Sequence, residues 1–96
     1  MDNSLNYADL IQKALKDATK DQPRLQSIKL NSVCDRDSGH FLVLATGWDK
    51  QRWINAILFH AHLVDREVMI EEDNFEEGLT NSLIAAGIDA SDITTR

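Results

Sequence analysis

His60-Ala61-His62 is the sharpest chemical constellation in this 96-residue sequence. On a strand, two imidazoles at i and i+2 point to the same side, as a pair of metal ligands does. Glu71 on a neighbouring strand would lie opposite His60, and Asp73 follows two residues later. One reading is therefore a small metal-dependent hydrolase or nuclease-like enzyme using His60, His62, Glu71 and Asp73. The same pattern has a plainer use, because a His–Glu cross-strand pair holds two strands in register. No fixed third and fourth ligand accompanies the histidines, so the plainer use is preferred. No metal, cofactor or catalytic residue is assigned.

Glu71, Glu72, Asp73, Glu76 and Glu77 place five carboxylates within seven residues. Paired carboxylates can perform general acid/base work or hold Mg²⁺. Acids in the first turn of a helix are also favoured by its dipole, and an Asp73…Glu76 spacing makes a capping box. Cys34, the lone cysteine, has no evident neighbour to activate it as a nucleophile and cannot form an internal disulfide. The glycines at 39, 47, 78 and 87 are too scattered for a phosphate-binding loop, and no Ser nucleophile elbow or paired CxxC exists.

The elements that would position these residues emerge from the periodicity. Leu5, Ala8, Ile11, Leu15 and Ala18 recur at helical spacing and predict a helix over 4–21, capped by Asn3, Ser4 or Asn6 and ended before Pro23. From Ser27 the period changes. Strands are expected over 27–34, 40–48, 53–64 and 67–72, with turns at 35–39, 49–52 and 65–66. A second helix is expected from Asp73 as N-cap, with Phe75, Leu79, Leu83 and Ala86 as its apolar stripe. Gly87 would be its left-handed C-terminal residue and Ile88 the returning hydrophobic partner. The chain thus reads as one α+β domain over 1–96: an N-terminal helix, a four-stranded antiparallel meander sheet and a C-terminal helix. A chain of this size buries about 65% of its unfolded surface, enough for a core without disulfides.

A two-residue turn at Lys50-Gln51 pairs Trp48 with Trp53, Leu44 with Ile57 and Leu42 with Phe59. The core face would then hold these six residues together with Leu63, Val68 and Ile70. The opposite face would carry Phe41, Val43, Ala45, Ile54, Leu58, His60, His62, Met69 and Glu71. That face is too apolar for solvent, so it is either covered by the first helix or buried against another protein, most simply in a homodimer. A one-residue slip of register would exchange the two faces.

Charge locates a second surface. The net charge is −6 and the isoelectric point about 4.8. Residues 1–48 hold six acids and six bases, whereas 49–96 hold ten acids and four bases, so the second half carries the whole excess. Between residues 65 and 92, nine acids face only Arg66. Such a chain is a poor direct ligand for DNA, which requires clustered Lys and Arg. Lys13, Lys16 and Lys20 are the only candidates for a basic stripe. No apolar run approaches the ~20 residues that cross a bilayer. With its single cysteine, the chain is expected to be cytoplasmic and to have no membrane role.

The stretch from Gly47-Trp48 to His60-Ala61-His62-Leu63-Val64-Asp65 resembles a known family. So do Ile70 through Leu79, Leu83-Ile84-Ala85-Ala86-Gly87-Ile88 and Asp92-Ile93. The order and spacing of these blocks, with Tyr7 in the opening helix, are similar to the XisI-like family, the fdxN element excision controlling factors of filamentous cyanobacteria, over about residues 5–93. The resemblance implies an α+β fold and a role in programmed excision of a DNA element during heterocyst differentiation. It implies action beside a site-specific recombinase and an XisH-like companion protein, rather than as the recombinase. It supplies no catalytic residues. Four positions depart from the family pattern: Arg66 replaces a turn Gly, His62 an Asp, Phe75 a Thr and Asp89 a Pro. The first expectation is therefore a non-enzymatic regulatory protein whose acidic surface, Glu71, Glu72, Asp73, Glu76 and Glu77, meets a basic partner.

Overall fold

The computed structural model describes residues 3–20 and 27–95, and side chains from Tyr7 onward. Pro23, expected to end the first helix, lies outside the described residues. Helix α1 runs Asn3–Ala18. The strands are β1 Ser27–Asp35, β2 His40–Asp49, β3 Arg52–Val64 and β4 Glu67–Asp73. Helix α2 spans Leu79–Ala86, and a 3₁₀ turn at Ala90–Asp92 leads into β5, Ile93–Thr95. The sheet order is β1-β2-β3-β4-β5.

The expected four-stranded antiparallel meander is present as β1–β4, but the sheet has a fifth strand. β5 pairs parallel to β4, with Val68 opposite Ile93 and Ile70 opposite Thr95. Parallel neighbours need a crossover, and α2 is that crossover. A three-residue segment ending in two threonines carries too little alternation to read as a strand.

The expected faces are exchanged along β2, and the reason is a bulge. Trp48 does pair with Trp53 and Leu44 with Ile57, but the register then shifts and Val43, not Leu42, meets Phe59. Leu58 is the extra residue. Both helices pack on the face bearing Phe41, Val43, Phe59, Ala61, Val68 and Ile70, all fully buried with Ile11, Leu15 and Leu83 in one cluster. On the other face Trp48 and Trp53 are 54% and 55% exposed and Ile57 37%. These three belong to the open side, contrary to the core expected for them.

Gly47 explains how β1 lies so close to β2. Its φ is +147°, and an added Cβ would sit 2.2 Å from the Ser27 carbonyl oxygen, so only glycine fits. The turn at Asp65-Arg66 places its left-handed residue at Asp65, φ +56°. Asp tolerates that conformation better than Arg does, and Arg66 does not adopt positive φ.

Helix α2 begins five residues later than expected, with Gly78 rather than Asp73 at its N-cap. Asp73 is the last residue of β4, Phe75 sits half-buried in the following turn, and Gly78 is the residue before the helix. No Asp73–Glu76 capping box forms. The C-terminus behaves as expected: Gly87 has φ +122°, its N–H donates to Ile84 O, and Ile88 N–H donates to Leu83 O. This is a Schellman arrangement, with Ile88 buried.

The face assignment makes a direct prediction. Phe59→Ala should cost about 3–5 kcal/mol in chemical denaturation, the range for a buried aromatic. Trp53→Ala, on the open face, should cost under about 1 kcal/mol when the protein is dilute. Comparable losses for both would contradict the assignment.

Candidate functional site

The β3 bulge also assembles a histidine cluster. An unbroken register from Trp48–Trp53 would set His40 against Ala61. The bulge moves the pairing by one, so His40 stands opposite His62 and Leu42 opposite His60. His40 Nδ1 lies 2.9 Å from His60 Nε2, so one of these nitrogens donates and the other accepts. The His62 ring stacks on His40 with centroids 4.0 Å apart and planes 13° apart. His40 was not singled out from the sequence, because only a bulge brings it here. Counting one extra residue between Val43 and Leu44 on the partner strand would have found it.

The His60, His62, Glu71 and Asp73 set does not converge. A second irregularity, between His60 and Ala61, pairs His60 with Glu72 and His62 with Met69, leaving Glu71 as the bulge residue. Asp73 lies opposite buried Phe59, on the helix side of the sheet. Stacked imidazoles present faces to one another rather than lone pairs to a common point. Among the described residues no group of three or more His, Cys, Asp or Glu is arranged to hold a metal.

Asp73 is instead the anchor of α2. Its Oδ1 accepts from Leu79 N–H at 3.0 Å. Its Oδ2 accepts from Thr80 N–H at 3.0 Å and from the Thr80 hydroxyl at 2.8 Å. A cap normally comes from the adjoining residue; here the end of a strand supplies it across a turn. Partial burial pushes this carboxyl upward. The hydrogen bonds from Leu79, Thr80 and Phe75 outweigh that effect, and the net shift is downward from the usual carboxylate value.

The acidic run is therefore divided. Glu72 is exposed and accepts from the Asn74 amide at 3.2 Å, while that amide also reaches the Ile57 carbonyl. Glu71 is half-buried at the bulge, Asp73 is committed to α2, and Glu76 and Glu77 are exposed in the turn before that helix. Glu76 and Glu77 flank a shallow depression that includes Ala18 and Phe75.

The interface face expected from the sequence is also redistributed. Phe41 and Val43 are fully buried beneath the helices and offer nothing to a partner. Ile54 and Leu58 lie on that helix side, partly exposed. His60 and His62 lie on the open side, next to Leu42 and Leu44. Lys13, Lys16 and Lys20 are exposed on or just beyond α1 but share their surface with Asp9 and Asp17, so no uninterrupted basic stripe forms. Cys34 is half-buried. Burial raises the pKa of its thiol, and the nearby Lys16 and Arg36, unrecognised in the sequence, only partly offset this.

Tyr7 ties the two ends of the chain together. Its hydroxyl donates to Asp92 Oδ2 at 2.5 Å and accepts from Asp89 N–H at 3.3 Å. The hydrogen bond to the Asp92 carboxylate raises the Tyr7 pKa above its usual value. A proline at position 89 would lack this N–H.

A two-helix α+β domain with one sheet face covered and one open is the class these features define. The sequence matches the family model described as XisI protein over residues 1–95, and the chain belongs to that family. Its fold is similar to the crystal structure of a XisI-like protein from Anabaena variabilis, with TM-score 0.84 and 19% identity over 95% of this chain and 84% of that one. It is also similar to the fdxN element excision controlling factor XisI from the same organism, with TM-score 0.71 and 22% identity over 94% and 88%. A search of curated protein sequences finds no match. No helix among the described residues is long and apolar enough to cross a membrane.

The Asp73 arrangement predicts that Asp73→Ala lowers stability by about 1 kcal/mol at neutral pH, the usual cost of losing a helix cap. Because its folded-state pKa is depressed, the stabilisation is fully present above the unfolded value of about 3.9 and is lost as pH falls through the lower folded value. Denaturation of wild type and variant should therefore converge in acid. A difference that persists unchanged to pH 2 would contradict the assignment.

Proposed function

We propose that this chain is a non-enzymatic accessory factor that controls programmed excision of a DNA element by a site-specific recombinase, acting through protein–protein contacts. The observation that carries this reading is membership of the XisI family, supported by fold similarity to an fdxN element excision controlling factor. The partners are an XisH-like companion protein and the recombinase, and the setting is the cytoplasm of a cyanobacterium undergoing heterocyst differentiation.

The charge distribution supports contact with a basic partner. Glu72, Glu76 and Glu77 are the exposed members of the acidic run, and Glu71 adjoins them. Complementary charge accelerates encounter and excludes wrong partners more than it adds affinity. Asp73 belongs to this surface by position but acts on α2. The histidines of the open face need no part in chemistry for this reading.

Affinity capture from the native host should recover the companion protein or the recombinase. The double variant Glu76→Lys, Glu77→Lys should weaken that capture by about tenfold at low salt, and added salt should narrow the difference. Deleting the gene should abolish excision. Unimpaired excision in the deletion strain, or capture of neither partner, would overturn the proposal.

A further inference from the structure

The open face of the sheet has a composition that solvent does not explain. Its central rows carry Leu42, Leu44, Ile57 and Val33, and its two ends differ in chemistry. At one end Trp48 and Trp53 meet edge to face, 5.3 Å between centroids. At the other lie His40, His62 and Met69. We infer that this face is where a second copy of the chain docks, packed sheet against sheet with the strand ends reversed, so that the tryptophan pair of each copy covers the His40–His62–Met69 end of the other.

Size is the first support. From Trp48 back to His40 is eight residues, about 26 Å of strand at roughly 3.3 Å per residue. Four strands with their side chains extend about 20 Å across. Covering such an area removes on the order of 600 Å² from each copy, reaching the roughly 1,200 Å² total at which stable interfaces begin. Sheets pack about 10 Å apart with strands nearly aligned, a geometry that suits two such faces.

Charge selects both the occupant and its direction. The central row of Asn31, Leu44 and Ile57 is neutral, so two copies of a chain of net charge −6 can meet there without burying an unpaired charge. The face's acids, Asp35, Glu67 and Glu72, all lie on the histidine side of the centre, and its one lysine, Lys29, lies on the tryptophan side. Packing with like ends together would crowd the two acidic ends, which is unfavourable. Reversal separates them and turns each Lys29 toward the acidic half of the other copy. It also lays indole faces over imidazoles and a thioether, contacts that aromatic rings favour.

The inference stands apart from the proposed excision role, since the face would pair whether or not the chain controls recombination. Light scattering of the full chain at about 100 µM should give twice 10.8 kDa. Ile57→Glu, in the central row, should return the mass to that of one chain and weaken dimerisation at least tenfold, with circular dichroism unchanged. Trp53→Glu gives the same test should Ile57→Glu fail to fold. Ile84→Glu, on the exposed side of α2, should leave the dimer intact. In a Cys34→Ser background, spin labels on Gln51→Cys at the hairpin tip should lie about 40 Å apart in the reversed dimer and about 10–15 Å apart with like ends together. A monomer at 100 µM, a dimer that survives both glutamates, or the short label distance would overturn the proposal.

Discussion

Both helices of this chain cover the same face of the sheet, and the bulge at Leu58 decides which residues that face holds. Before the bulge, alternation along β3 sends Trp53 and Ile57 to one side. After it, Phe59 and Ala61 fall on the other, in line with Val43 and Phe41 on β2. The core, the open face and the histidine cluster all follow from this single extra residue. Shifting the register by one would send His40 against Ala61 and bring Leu42 under the helices. Each fully buried apolar side chain contributes roughly 1.5–3 kcal/mol relative to exposure, so the choice between two apolar faces rests on which one packs against α1 and α2.

Much of the architecture was legible in the residues. The change from helical to alternating spacing at Ser27, the turns at Lys50-Gln51 and Asp65-Arg66, and the Gly87-Ile88 helix end all reflect short-range chemistry. So does the pairing of Trp48 with Trp53, which depends only on a two-residue turn. Two failures share a cause. The Leu42–Phe59 pairing and the His60–Glu71 pairing both assumed unbroken ladders, and each strand pair carries an irregularity that nothing local announces. With β2 alternating between two sets of apolar residues, hydrophobicity alone could not choose Phe41 and Val43 over Leu42 and Leu44.

The candidate site was legible in part. His60 and His62 do share a side of the sheet, but their companion is His40 rather than Glu71. Asp73 does serve a helix, though from the end of β4 and through Thr80 rather than as an adjoining cap. A carboxylate reaching six residues ahead is a tertiary contact, and spacing rules based on adjoining residues cannot anticipate it. The acidity of the second half survives as a feature of the surface, reduced to the members that the fold leaves exposed. The Tyr7–Asp92 contact spans nearly the whole chain and links α1 to the turn before β5, so the opening helix and the closing segment touch directly.

The central claim is that α1 lies against the Phe41–Val43–Phe59 face and leaves the Leu44–Ile57 face free of the chain's own helices. Side-chain nuclear Overhauser contacts in labelled protein test it most directly. Ile11 and Leu15 should show contacts to Phe41 and Phe59, which share their buried cluster, and none to Leu44 or Ile57. Contacts from these helix residues to Leu44 or Ile57, with Phe41 and Phe59 silent, would contradict the account.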